Sequence, residues 1–556
     1  RDRLGWWGWG ALAGLVICLL LLLIPMGRFV ESAAAWLDYP YPRPGSEGLI
    51  LYESLLTKRG GDIYSPITPE RFISGPYPPV YYWLAAALLP EHLPDFSGPG
   101  APASIFREGR ILSLLSALLT AAIVPLIVIF QGRHHRSRQK LMTAAAAGLA
   151  GSLAFLSLPQ TAVWATRFRG DMLMLAFTAA GLLCIALGVK SRQPAVQSPP
   201  RSTFRGSRFS PTLPGSLPIL SLGAAFFSLA FYTKQTALAG PVAAAVYLLL
   251  RDWRAGLRWC LVMGAAVLVP FALLDFATGH WFFLKMVSYH SLRLSEVTLT
   301  RLLQFAFWED QWPLVLVALG YTVSQLVAPA RAHRTHEGRQ APSLVALFVT
   351  TSFLFLPSGA VIGADHNHLL LPGLAVSLAV GAVIARSANR LLGEGVGGTG
   401  VRALAVAYLA ATLLALAVYA TVTSPPSSWY NPDLDVPSAQ VQEQYRKIVY
   451  NVSQNPGTLF FSDDPGIVAL AGKETPYDDP FTMTALAASA RWDEAAYRTM
   501  LREGGFGLLV LSCDVSTPRS CRADTFTPGV LDAISDGYRV LFRDVMYTYA
   551  PREAAR

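Results

Sequence analysis

Three stretches of this chain leave little choice of environment. Residues 11–26 (ALAGLVICLLLLLIPM), 111–130 (ILSLLSALLTAAIVPLIVIF) and 403–422 (ALAVAYLAATLLALAVYATV) contain no Asp, Glu, Lys or Arg. About 20 apolar residues in a helix match the ~30 Å hydrocarbon core of a bilayer. Inside that core every backbone N–H and C=O must be paired within the chain, so only helices or closed barrels cross it, and runs this long fit helices. Composition agrees: 53% of the 556 residues are hydrophobic and 15% are charged, with a mean hydropathy of +0.39.

About eleven such segments are predicted, near 6–27, 110–130, 141–159, 172–189, 216–233, 237–250, 258–278, 312–329, 342–358, 369–385 and 403–423. Alternate connections are basic. They hold Arg133, Arg136, Arg138 and Lys140; Lys190, Arg192, Arg201, Arg205 and Arg208; Arg251, Arg254 and Arg258; Arg331, Arg334 and Arg339; and Arg386, Arg390 and Arg402. Their only acids are Asp252, Glu337 and Glu394. The positive-inside bias then puts the N-terminus and these five loops in the cytoplasm and the C-terminus outside. The same distribution accounts for the net charge of +9 without a nucleic-acid partner, since the basic residues form no single patch. Ser32 to Ala35 resemble a signal-peptide cleavage site, but removing the first segment would spoil the alternation. The Ser-, Pro- and Arg-rich stretch 190–215 reads as a flexible cytoplasmic linker.

The opposite side carries the chemistry-bearing residues. The long connection 28–109 contains two short apolar helices, 47–58 and 79–90, expected to lie along the interface. Tyr77, Tyr81, Tyr82 and Trp83 suit that level of the membrane as anchors or as substrate contacts. Further along come Arg167-Phe168-Arg169-Gly170-Asp171, then Lys234-Gln235-Thr236, then Lys285, His290, Arg293 and Glu296, then Asp365-His366-Asn367-His368. Any one of these could simply snorkel to water. Together, at one surface, they suit an anion site with a general base. Residues 425–556 read as an extracytoplasmic α/β domain, with helices at 437–451 and 493–503 and strands at 458–462 and 507–512. Asp463-Asp464 and Asp478-Asp479 read as turn and helix-start residues. Cys513 and Cys521 are candidates for a disulfide, whereas Cys18, Cys184 and Cys260 lie in apolar runs.

The order of these pieces resembles the GT-C superfamily of glycosyltransferases, and most closely the bacterial branch of protein mannosyltransferases and the lipid A aminoarabinose transferase. The resemblance covers roughly residues 5–425 and rests on order and spacing: Glu47 followed by Gly61-Asp62-Ile63-Tyr64, Tyr77 to Leu84, Gly109-Arg110, Arg169-Gly170-Asp171, Tyr232 to Thr236, His280 to His290, and Asn367. It implies a mostly α membrane bundle and a sugar donor carried on a polyprenyl phosphate. It implies transfer to a lipid, glycan or protein acceptor at the outer membrane face, with inversion in one step and no metal or other cofactor. An acid of the first loop would take the acceptor's proton: Glu47, with Asp38 as alternative. Arg169, Asp171, Lys234, His290, Arg293, Tyr77, Tyr81 and Asn367 would bind donor and phosphate. Two departures stand out. Pro78-Pro79 replaces the Lys-Pro of the aminoarabinose transferase, leaving Lys58, Arg71, Arg107 or Arg110 to serve instead, and Ser46-Glu47 replaces the usual Asp-Glu. Asp365, His366 and His368 are loosely spaced for a metal and lack a fourth ligand. Rival readings are a transporter or flippase, against which the nearly charge-free spans argue (Asp275 lies near a span end), a ligase using a diphosphate-linked donor, and a scaffold.

Overall fold

The structure, a computed structural model, describes residues 6–43, 46–91, 104–131, 138–190, 217–289, 294–307, 311–334, 342–361, 364–391, 399–422, 436–517, 520–521 and 524–552. Residues 191–215 of the stretch read above as a linker fall outside these residues, as do His290 and Arg293.

The helical part runs α1 (Trp6–Leu37), α2 (Glu47–Lys58), α3 (Pro79–Leu88), α4 (Arg107–Gln131), α5 (Arg138–Ser157), α6 (Pro159–Trp164), α7 (Asp171–Lys190), α8 (Leu217–Thr233), α9 (Ala239–Arg251) and α10 (Trp253–Ala277). It continues with α11 (Trp281–Phe283), which widens into a π turn (Leu284–Ser288), then α12 (Glu296–Phe307), α13 (Trp312–Arg334), α14 (Leu344–Leu354), α15 (Leu370–Leu391) and α16 (Thr399–Val422). Among the described residues seven helices are long and apolar enough to cross a membrane: α1, α4, α5, α7, α10, α15 with the turn before it, and α16. The chain is a multi-pass membrane protein. The other four predicted segments fall on α8, α9, α13 and α14, whose apolar stretches are shorter.

Burial sorts the helices by environment. α15 is the central helix, with 89% of its apolar window enclosed. It meets α5 where Gly151 approaches the Ser377 carbonyl and Gly381 approaches that of Ala147. Such small residues let helices pack closely where lipid gives no hydrophobic drive to do so. The apolar window of α10 has no buried residue and turns Leu261, Leu268, Leu273 and Phe276 outward, as a lipid-facing helix does.

The C-terminal part holds α17 (Ala439–Gln454), β1 (Phe461–Ser462), α18 (Pro465–Leu470), α19 (Pro480–Ala488), α20 (Ala495–Arg502), β2 (Leu509–Leu511), α21 (Pro528–Gly537), β3 (Tyr538–Arg543) and β4 (Tyr547–Pro551). The sheet order is β1-β2-β4-β3, with β1 and β2 parallel and the other pairs antiparallel. Asp464 and Asp479 cap α18 and α19 by accepting from Gly466 N and Thr482 N. Asp463 binds Ser512 beyond the end of β2. These three are the turn and helix-start residues predicted. Cys513 and Cys521 form a disulfide.

α2, expected along the membrane interface, is covered by the rest of the chain. Its residues 47–55 are all buried, because the C-terminal part covers it. Gly48 and Gly466 meet backbone to backbone, and the Tyr52 hydroxyl donates to the Thr475 carbonyl at 2.7 Å. Phe72 of the first loop pairs with Tyr477 as a β-bridge.

Candidate active site

The site is built around the turn between α6 and α7. Alternation in Arg167-Phe168-Arg169 sends the Phe168 ring into an aromatic core with Tyr81 and Phe106. That ring lies against Gly109 at the start of α4, where a Cβ would overlap it. Ser113 donates to the carbonyls of both Arg167 (2.7 Å) and Arg169 (2.9 Å), and so fixes the turn from the α4 side.

Glu47 is the other staple. Its carboxylate is wholly buried. Oε1 accepts from Arg110 Nε at 2.9 Å and from Phe168 N at 2.7 Å. Oε2 accepts from Arg110 Nη2 and from Arg43 N, both at 2.7 Å. A carboxylate has about four lone-pair positions, and all are engaged. Burial alone would raise its pKa, but the Arg110 guanidinium and the two N–H groups outweigh burial and hold it below the usual carboxylate range. Arg110 spends its remaining N–H groups on the carbonyls of Trp36, Tyr39 and Tyr41. Asp38 stands apart from this network: it is largely exposed and pairs with Arg107 at 3.4 Å.

On the far side of the turn, five predicted residues meet. Asp171, the first residue of α7, accepts from Arg169 Nε at 3.1 Å, from the Lys234 ammonium, and from Asn367 Nδ2 at 2.9 Å. Arg169 also donates to the Tyr77 hydroxyl. Lys234 lies just beyond α8, and Asn367 in a 3₁₀ turn (His366–Leu369) leading into α15. Three helix ends therefore converge, and each delivers its polar residue because its apolar run stops there. Arg167 joins them, 3.9 Å from Asp365, and the guanidiniums of Arg167 (4.6 Å) and Arg169 (5.0 Å) both pack against the Trp164 ring.

Excluding histidines, Arg167, Arg169 and Lys234 face Asp171 and Asp365: three positive charges against two negative. Arg167, Arg169 and Lys234 are each about 5% exposed. Burial pushes the Lys234 pKa down, and Asp171 offsets only part of this. A small cavity opens beside them, lined by Tyr77, Tyr81, Tyr82, Gly170, Asp171, Thr233 and Lys234. Gly170 keeps this wall close, since a Cβ would sit 3.2 Å from both Tyr81 and Thr233 and those side chains would have to give by a few tenths of an ångström. A recess with an aromatic wall, set against a cluster with one excess positive charge, suits an anion joined to a less polar group. Among the described residues no group of three or more His, Cys, Asp or Glu is placed to hold a metal.

Sequence reasoning passed over two buried residues next to this site, Glu53 and Asp478. Tyr82 of the cavity wall donates to Glu53 Oε2 at 2.5 Å. Glu53 sits inside an apolar helix with no motif to flag it, and Asp478 reads as one of a turn pair.

No protein-family model matches the sequence, and no curated protein matches it. Solved structures do match. ArnT from Cupriavidus metallidurans bound to undecaprenyl phosphate superposes with a TM-score of 0.53 at 16% identity, over 98% of each chain. An Archaeoglobus fulgidus oligosaccharyltransferase tethered to an acceptor peptide gives 0.51 at 10% identity, over 98% of this chain and 74% of that one. AglB from the same archaeon, with an inhibitory peptide and a dolichol phosphate, gives 0.51 at 12% identity, over 99% and 75%. These are GT-C proteins, and this chain has the GT-C fold.

Proposed function

We propose that this protein transfers a sugar from a polyprenyl-phosphate carrier to a hydroxyl group of a lipid, glycan or protein acceptor. The reaction takes place at the extracytoplasmic face of the cell membrane and needs no metal. The observation that carries this reading is the buried Arg169–Asp171–Lys234 cluster beside an aromatic cavity, on a fold whose solved examples hold undecaprenyl phosphate and dolichol phosphate.

Each residue has a part. As the anomeric C–O bond breaks, charge grows on the departing phosphate, and Arg169 and Lys234 stabilise it. In a water-poor recess preorganised donors of this kind are worth far more than in water. Asp171 balances the two cations while the site is empty, and it is the carboxylate among the lining residues. It takes the proton of the attacking hydroxyl. An oxocarbenium-like transition state needs that proton removed late, so an ionised carboxylate serves. Asn367 orients Asp171, and Tyr77 and Tyr81 shape the wall that receives the sugar. Glu47, closed on all sides by N–H donors, holds the turn and takes no proton.

Equilibrium binding of a polyprenyl phosphate to the purified protein in detergent tests this. Arg169→Gln and Lys234→Gln are each expected to weaken binding at least tenfold, because each removes a charge-assisted bond worth ~1.5–3 kcal/mol. Unchanged binding in both folded variants would move the donor site elsewhere.

A further inference from the structure

Beneath the cavity wall lies a second set of buried charges that the transfer step does not use. Glu53 on α2 and Asp478 before α19 are both within 1% of full burial. Ser74 bridges them: its hydroxyl donates to Glu53 Oε1 at 3.0 Å and its N–H to Asp478 Oδ1 at 2.9 Å. Glu53 Oε1 also accepts from Gly75 N at 2.7 Å. The second oxygen of Asp478 is buried with no partner, although the two carboxyl groups are near enough for a hydrogen bond if one carries a proton. Two carboxylates this close and this dry cannot both ionise. One proton, on Asp478 and donated to Glu53, satisfies the orphan oxygen and leaves a single negative charge. Lys285 on the π turn, wholly buried and donating to the carbonyls of Ile63 (2.8 Å) and Ile73 (2.7 Å), balances that charge.

We propose that Glu53 and Asp478 share one proton and act as a positioning pair, holding Tyr82 in the cavity wall and locking the C-terminal part onto the first loop. The proposal rests on the reading of the cavity as the transfer site. The contrast with Glu47 is chemical: its donors are a guanidinium and backbone N–H groups, whereas Glu53 is held in part by two hydroxyls and a carboxyl. The pair responds to pH as its neighbours dictate. Tyr82 faces it from α3, Tyr52 from α2, Tyr64, Tyr77 and Ser74 from the first loop, Lys285 from the π turn and Asp479 from the C-terminal part, with Asp62 and Arg71 acting on Lys285. Burial raises Glu53 to about 7 and Asp478 well above the usual range. Loss of the shared proton therefore comes on the alkaline side, where two adjacent negative charges would loosen the lock.

Infrared spectra of the purified protein at neutral pH test the shared proton without any turnover. The native protein is expected to show protonated-carboxyl C=O absorption that is lost in Asp478→Asn, where the proton's carrier is gone, and shifted in frequency in Glu53→Gln, where burial keeps Asp478 protonated; both are read as native-minus-variant differences, so that other buried carboxyls such as Asp464 cancel. Difference spectra without a protonated-carboxyl band for either variant overturn the proposal. The pH profile of transfer tests the positioning. In Asp478→Asn the alkaline limb is expected to move up by at least one pH unit, whereas a purely structural defect would lower the rate evenly at all pH. An unmoved limb overturns the positioning role. Absence of transfer by the native protein on every donor would count against the transferase reading, and the infrared result would still decide the shared proton.

Discussion

Asp171 and Glu47 are both buried carboxylates bound to arginine, yet their surroundings give them different work. Asp171 lines the small cavity and shares two cationic side chains, so an incoming anion can compete for those cations. Glu47 is not among the residues lining that cavity, and two of its four bonds are to backbone N–H groups. Removing one partner of a buried pair leaves the other charge unpaired, at a cost of ~3–5 kcal/mol. Glu47→Gln is therefore expected to destabilise the protein by about that much, and Asp38→Asn by ~0–1 kcal/mol, as for exposed pairs. Thermal unfolding of the two variants in the same detergent checks this; equal, small shifts would contradict the structural role of Glu47. Arg169, Asp171, Lys234 and Asn367 can be picked out of the sequence because each interrupts or ends an apolar run, and membrane physics pushes such residues to one level. The part played by Glu47 is not legible that way. It depends on which lone pairs are filled, and those partners come from Arg43, Arg110 and Phe168, up to 121 positions away.

At the scale of elements, α2 does more than its sequence suggests. Read alone it is a short amphipathic helix suited to an interface. In the structure it is a core helix between α3 and the C-terminal part, because Gly48 lets α18 reach its backbone. A Cβ at that position would overlap the Asp464 carboxylate and lie 2.7 Å from Gly466 N. Gly48→Ala is expected to cost ~1–3 kcal/mol, as overpacking does, and to expose the C-terminal part to limited proteolysis. Digestion at the native rate would show that α18 docks more loosely. The predicted helices at 437–451 and 493–503 appear as α17 and α20, and the two predicted strands appear in shortened form. The β3–β4 hairpin is invisible to pattern reading: β3 alternates poorly, with Leu541 and Phe542 both exposed, and a bulge between Val540 and Phe542 breaks its register.

At the scale of the whole molecule, the apolar runs make membrane crossing plain, while the exact number of crossings is harder to read. α9 and α14 span 13 and 11 residues, short for a ~30 Å core. Basic loops supply the orientation proposed here. A cysteine placed at the exposed end of α19, Ala488→Cys, is expected to react with a membrane-impermeant maleimide in intact spheroplasts, and Ser198→Cys only after lysis. The reverse pattern would invert the topology and put the candidate site on the wrong face. The Arg167–Asp171 turn and the C-terminal cover both rest on the first loop. The most direct test of that account is release of polyprenyl phosphate. Purified native protein and Asp171→Asn would be given a panel of polyprenyl-phosphate sugars and an envelope-lipid acceptor fraction, with and without chelator. The account predicts chelator-resistant release by the native protein and a drop of roughly 10²- to 10⁴-fold in the variant, as for loss of a proton acceptor, with the KM for donor not raised. Native-like release by folded Asp171→Asn, or release abolished by chelator, would contradict it.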